Sequence, residues 1–133
     1  GRKSANRWAA ATMLGALCFI GLAGVRFGGA RQAFNWLPFI GALNNNWQAS
    51  LSILLGKLYE YGAAIWLLAC SGLPLIRASL YVAIMLGAIE AAQMHAPGHV
   101  AEITDPILAL LLGAGFAALR KTRPLRDTIL RKA

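Results

Sequence analysis

Four long apolar stretches, separated by short polar connections, run along this chain. Residues 8–25 carry no charge, and the run from Trp8 to about Phe27 is long enough for one membrane-spanning helix. Trp8 and Phe27 suit the two membrane–water interfaces. A Gly- and Asn-rich connection follows over residues 28–48. Within it Pro38 biases Leu37 away from helix, Trp36 and Phe39 suit headgroup depth, and Asn44-Asn45-Asn46 reads as a turn. The second run covers about 48–73 and is limited by Pro74; the third covers about 77–94. The fourth opens at Asp105-Pro106 and reaches Leu119, with Arg120 and Lys121 able to extend it to about 121 by snorkelling. Thr104 or Asp105 suits its N-cap, and Pro106 its first turn. Short loops join antiparallel neighbours. The expected fold class is therefore all-α, an integral membrane four-helix antiparallel bundle. It forms one domain over residues 1–133, with a basic tail at 120–133. Glycines such as Gly21, Gly62 and Gly113 permit close helix contacts.

Composition agrees with this pattern. Hydrophobic residues make up 58% of the chain and charged residues 14%, against about 25% charged in a soluble domain. The net charge of +8 is concentrated at the ends. Arg2, Lys3 and Arg7 open the chain, and Arg120, Lys121, Arg123, Arg126, Arg131 and Lys132 close it. Bases that flank apolar spans point to anionic lipid and away from nucleic acid. With the N-terminus inside, ten Lys and Arg fall on the cytoplasmic side and only Arg26 and Arg31 outside, while Lys57 lies within a span. The positive-inside rule thus predicts a multi-pass protein of a cytoplasmic (inner) membrane with both termini in the cytoplasm. The first span is too long for a signal-peptide core. A chain that begins with Gly fits a piece of a longer protein. Cys18 and Cys70 lie in apolar runs and suggest neither a disulfide framework nor a metal site. No cofactor motif is present.

In that orientation the remaining ionisable groups gather toward the outer face. Lys57 and Glu60 lie inside the second span, Glu90 and Gln93 end the third, His95, His99 and Glu102 occupy the next loop, and Asp105 opens the fourth. An ionisable side chain at membrane depth is costly and marks a functional site by default. Each residue also has a structural reading. Lys57 and Glu60, three apart on a helix, suit mutual neutralisation. Asp105 suits a helix cap, Glu90 and Gln93 suit interhelical hydrogen bonds, and His95 and His99 suit a solvated loop. The functional reading predicts one cluster. Glu90, Gln93 and Asp105 come within hydrogen-bond or one-water reach of one another, with Gln93 donating to Asp105. Lys57 and Glu60 face the bundle interior. Two carboxylates that close resist ionising together, which makes Glu90 and Asp105 the candidate acid/base pair of any catalysis.

The motifs Glu90-Ala-Ala-Gln93, Pro97-Gly98-His99 and Asp105, with Gly113 beyond, resemble the signature of the VanZ-like family. Asn35-Trp36-Leu37-Pro38-Phe39 is similar to that family's Asn-x-x-Pro-Phe stretch. The likeness covers about residues 30–118. His99 stands where the family usually has Arg, Ala109 where an Asn often follows the Asp, and the expected Gly is displaced to Gly113. The resemblance implies a bacterial inner-membrane protein linked to the cell envelope and, in the founding members, to resistance against lipoglycopeptides such as teicoplanin. It carries no settled reaction.

Three functions are compatible with these residues. The first is an outer-leaflet site for a membrane lipid, a lipid-linked glycan or a lipoglycopeptide. It would be lined by Glu90, Gln93, His99, Asp105, Glu60 and Lys57. The second is an enzyme that uses the Glu90/Asp105 pair on such a ligand. The third is a structural or assembly module of a larger membrane protein.

Overall fold

The computed structural model describes residues 1–23, 25, 31–38, 47–96 and 101–132; of residues 2, 47 and 122–132 it describes the backbone alone. Among these described residues there are four helices: α1 (Arg2–Leu22), α2 (Trp47–Cys70), α3 (Leu75–Gln93) and α4 (Thr104–Lys132). No strand occurs among the described residues, so the fold is all-α. Among the described residues three helices are long and apolar enough to cross a membrane: α1 over Lys3–Leu22, α2 over Gln48–Cys70 and α3. The fourth expected span differs. α4 is apolar only over its first half and continues as helix into the basic tail.

The boundaries follow local chemistry. Nothing in Arg2–Arg7 breaks a helix, so α1 starts ahead of its apolar run. It stops before the expected Phe27, because Ala23 turns to extended backbone at φ −60°, ψ 120°. α2 ends in a tight turn at Gly72, whose φ of +111° is a conformation L side chains rarely adopt. There the Gly72 amide donates to the Ala69 carbonyl at 3.2 Å and the Leu73 amide to the Leu68 carbonyl at 3.3 Å. These are the paired bonds that close a helix C-terminus through glycine. Pro74 then caps the start of α3.

The helices run alternately up and down. The Asn6 amide of α1 donates to the Cys70 carbonyl at the end of α2, at 3.3 Å. The far end of α1 meets the far end of α3, where Gln93 Nε2 donates to the Gly21 carbonyl at 2.7 Å. α2 and α3 form the central pair; α1 packs on both from one side and α4 on both from the other, and α1 does not touch α4. Ser79 of α3 lies so close to Gly113 of α4 that a Cβ at that glycine would collide with it. The core is built from Ala64, Ile65, Ala78, Val82 and Ala109, all fully buried, with Leu68, Leu86 and Leu108 around them. Small side chains let the backbones approach, which is how helices gain packing energy when the surrounding phase is itself apolar. The outside is apolar too: Phe19, Ile84 and Ile76 are 78%, 69% and 67% exposed. In water so much exposed apolar surface invites association; in lipid it is solvated.

Candidate functional site at the distal end

Both chain ends lie at one end of the bundle, and the polar side chains collect at or toward the other, here called distal. Lys57 and Tyr61 are four residues apart and so share a face of α2. Helical side chains lean toward their N-terminus, and the N-terminus of α2 is distal. Both therefore reach up to Asp105 in the first turn of α4. Lys57 Nζ lies 2.6 Å from Asp105 Oδ1, and the Tyr61 hydroxyl donates to Asp105 Oδ2 at 2.6 Å. Both carboxylate oxygens are thus engaged. Asp105 is buried, whereas the Lys57 side chain keeps 35% of its surface exposed. A negative group in the first turn also suits the positive end of the helix dipole.

Glu90, buried near the end of α3, extends the network. Its carboxyl lies within hydrogen-bonding reach of Asp105, and its Oε2 accepts the Glu102 amide at 2.9 Å. The Glu102 carboxylate in turn accepts the Thr104 hydroxyl at 2.8 Å. Asn35 holds this loop in register. Its amide donates to the Ala101 carbonyl at 2.9 Å and its carbonyl accepts the Ile103 amide at 3.2 Å. The Glu102 N–H between these two bonds is thereby aimed at Glu90. Gln32 fastens the preceding turn, with its amide donating to the Met94 carbonyl at 2.8 Å and its side chain to the Ala96 carbonyl at 3.3 Å.

The expected cluster is therefore half realised, with different pairings. Glu90 and Asp105 do meet. Gln93 does not donate to Asp105; it turns to α1 and satisfies a carbonyl that the end of that helix leaves free. Asp105 is not the cap, because α4 already begins at Thr104. Lys57 does not neutralise Glu60, since Asp105 takes the ammonium. Glu60 is half-buried, with no hydrogen bond or ion pair among the described residues. His99 and the Pro97-Gly98 turn lie outside the described residues. His95 is not a solvated loop residue: it is half-buried, and its Nδ1 is buried with no partner among the described residues. No group of three or more His, Cys, Asp or Glu placed to hold a metal occurs among the described residues, and Cys18 and Cys70 are both free thiols.

Tyr61 and Asn35 were missed as site residues. The signal for Tyr61 was its spacing of four from Lys57 beneath a carboxylate. Asn35 holds the Glu102 loop through its backbone, while its side chain accepts the Leu37 amide at 3.3 Å, so its place in the Asn-x-x-Pro-Phe stretch did not point to Glu102. Chemically, the cluster is one ammonium, one phenol and two adjoining carboxyls inside an apolar bundle. It can hold several hydrogen bonds to a polar group, and the helix surfaces around it are apolar. No family model, curated protein or solved structure matches the chain.

Proposed function

We propose that this is a VanZ-like bacterial inner-membrane protein that receives the polar head of an amphipathic envelope ligand at its distal end. The ligand class is a membrane lipid, a lipid-linked glycan or a lipoglycopeptide. The observation that carries this reading is the joined set Lys57, Tyr61, Asp105 and Glu90 in an otherwise apolar bundle. Charged groups in a membrane are costly and are kept where they act. The Lys57 side chain keeps 35% of its surface exposed, so an incoming phosphate or carboxylate can compete with Asp105 for its ammonium. The carboxyls suit hydroxyls or an amine on the same head. Binding is favoured over turnover because both Asp105 oxygens are engaged and Glu90 already accepts a backbone amide. Among the described residues no nucleophile–base pair stands free beside them.

The expected test is retention of a photoreactive phospholipid or undecaprenyl-linked sugar by the full chain in nanodiscs, labelling peptides around Lys57 and Asp105. Glu90→Gln, and Asp105→Asn combined with Lys57→Met so that no charge is left unpaired, should abolish that labelling at near-normal expression. Equal labelling in both variants would reject the site. The resemblance adds a cellular readout, a change in teicoplanin susceptibility on expression in a susceptible host.

In this proposal the distal end faces outward and both termini are cytoplasmic. Ten Lys and Arg inside against two outside support that orientation. Six of those bases follow the apolar half of α4, where the anionic inner leaflet attracts them. Reporter fusions at the C-terminus and in the 95–104 loop test it, and labelling of the tail from outside intact cells would reverse it.

A further inference from the structure

α2 carries a second set of polar groups that the distal cluster does not use. Tyr59 and Glu60 stand near the midpoint of this helix. Tyr59 is 77% exposed and Glu60 half-buried, and neither has a hydrogen bond or ion pair among the described residues. Both lie within the Gln48–Cys70 span. A phenol and a carboxyl at that depth meet hydrocarbon on their open side, and acyl chains offer neither donor nor acceptor. Such groups are ordinarily matched by protein.

The surrounding face is shaped for another helix. Ala49, Gly56 and Ala63 recur every seven residues, as do Ser52, Tyr59 and Trp66. A seven-residue repeat keeps one seam turned toward a partner helix. Ala49, Ser52 and Gly56 are exposed, and a Cβ added at Gly56 meets nothing within 4 Å. Among the described residues this glycine therefore has no packing role, unlike Gly113. Open glycine and alanine let a second backbone come close.

We infer that this face of α2 pairs with the same face of a second copy, with Tyr59 of each chain donating to Glu60 of the other. The surface is self-complementary because it holds a donor and an acceptor on adjacent residues. Copies of one membrane protein share a topology, so a two-fold axis along the membrane normal sets Tyr59 of one chain level with the partner's Glu60. That exchange satisfies both unmatched groups at once, as an isologous interface requires. Lipid cannot supply the donor, and an unrelated helix would need one at the same depth.

The test uses the full chain in native membranes and in lipid nanodiscs. With Cys18 and Cys70 replaced by Ala, Gly56→Cys should give a disulfide-linked dimer on mild oxidation. Ile84→Cys, on the exposed outer face of α3, should not. Gly56→Leu should not lower helix content or the thermal stability of the monomer, since the site is open, yet should abolish the dimer in light scattering or photobleaching counts. Gly15→Leu, at a similarly open position on α1, should leave it intact. Tyr59→Phe with Glu60→Gln should weaken dimerisation by roughly tenfold or more, from two interhelical hydrogen bonds lost. A monomer at every lipid-to-protein ratio would overturn the inference. So would equal cross-linking at Ile84, a dimer that survives Gly56→Leu, or Gly56→Cys linking to a different protein.

Discussion

Two pairs of polar residues sit one step apart on α2 and meet opposite fates. Lys57 and Tyr61 turn inward and find both oxygens of Asp105. Tyr59 and Glu60 have no such partner among the described residues. They share a helix, similar depth and similar chemistry. The difference is which neighbouring helix their direction meets. A polar group in an apolar phase is tolerated through its partner and not through its own character. The inward pair therefore contributes to the fold, and the outward pair is free to contribute to assembly.

The inward pair should yield the largest effects. Lys57→Met strands the Asp105 carboxylate in a buried position, at an expected cost of about 3–5 kcal/mol. The double variant Lys57→Met/Asp105→Asn should recover most of that loss. Unfolding in mixed micelles followed by circular dichroism measures both, and a double variant no better than the single one would break the assignment of Asp105 as the partner. Tyr61→Phe should lose less, about 1.5–3 kcal/mol for a hydrogen bond to a charged acceptor.

Glycines sharpen the same contrast. Gly113→Ala forces a methyl against Ser79 and should destabilise by about 1–3 kcal/mol, as overpacking does. Gly56→Ala has open space and should be neutral, or stabilise the monomer by up to about 1 kcal/mol through helix propensity. Equal losses at the two positions would mean that the inner and outer faces of the bundle are not distinct.

The smallest effect is expected at Glu60. From sequence spacing, Glu60→Ala should strand Lys57 and lower folded yield. With Lys57 held by Asp105, Glu60→Ala and Glu60→Gln should change monomer stability by less than about 0.5 kcal/mol. A large loss, reversed by Lys57→Ala, would restore the intrahelical pair.

Much of this molecule was readable before its fold was known. Apolar runs announced α1, α2 and α3, Pro74 marked the limit of one helix and Pro106 the first turn of another. Glu90 and Asp105 were singled out because carboxyls near the ends of apolar runs are costly. What failed was the choice of partner. Glu60 is three residues from Lys57 and Asp105 is 48 away, so proximity along the chain favoured the wrong acid. The side chains of α2 lean toward its N-terminus, which carries the Lys57 ammonium away from Glu60 and toward α4. Gln93 was assigned to Asp105 by depth alone, but the unfilled carbonyl of Gly21 lay on its side of the bundle.

The sequence by itself determined an all-α chain with apolar helices, basic ends and a few costly polar residues near one end. Those properties follow from composition and period, which act locally and need no knowledge of neighbours. Only the tertiary structure decided that Lys57 and Tyr61 share one carboxylate, that the Asn35 backbone aims the Glu102 amide at Glu90, and that Tyr59 and Glu60 are left without a partner among the described residues. Hydrogen bonds and ion pairs depend on distance and direction within a few ångströms. Those are set by how far each helix slides and turns against the next, and here small residues such as Gly113 against Ser79 fix that register.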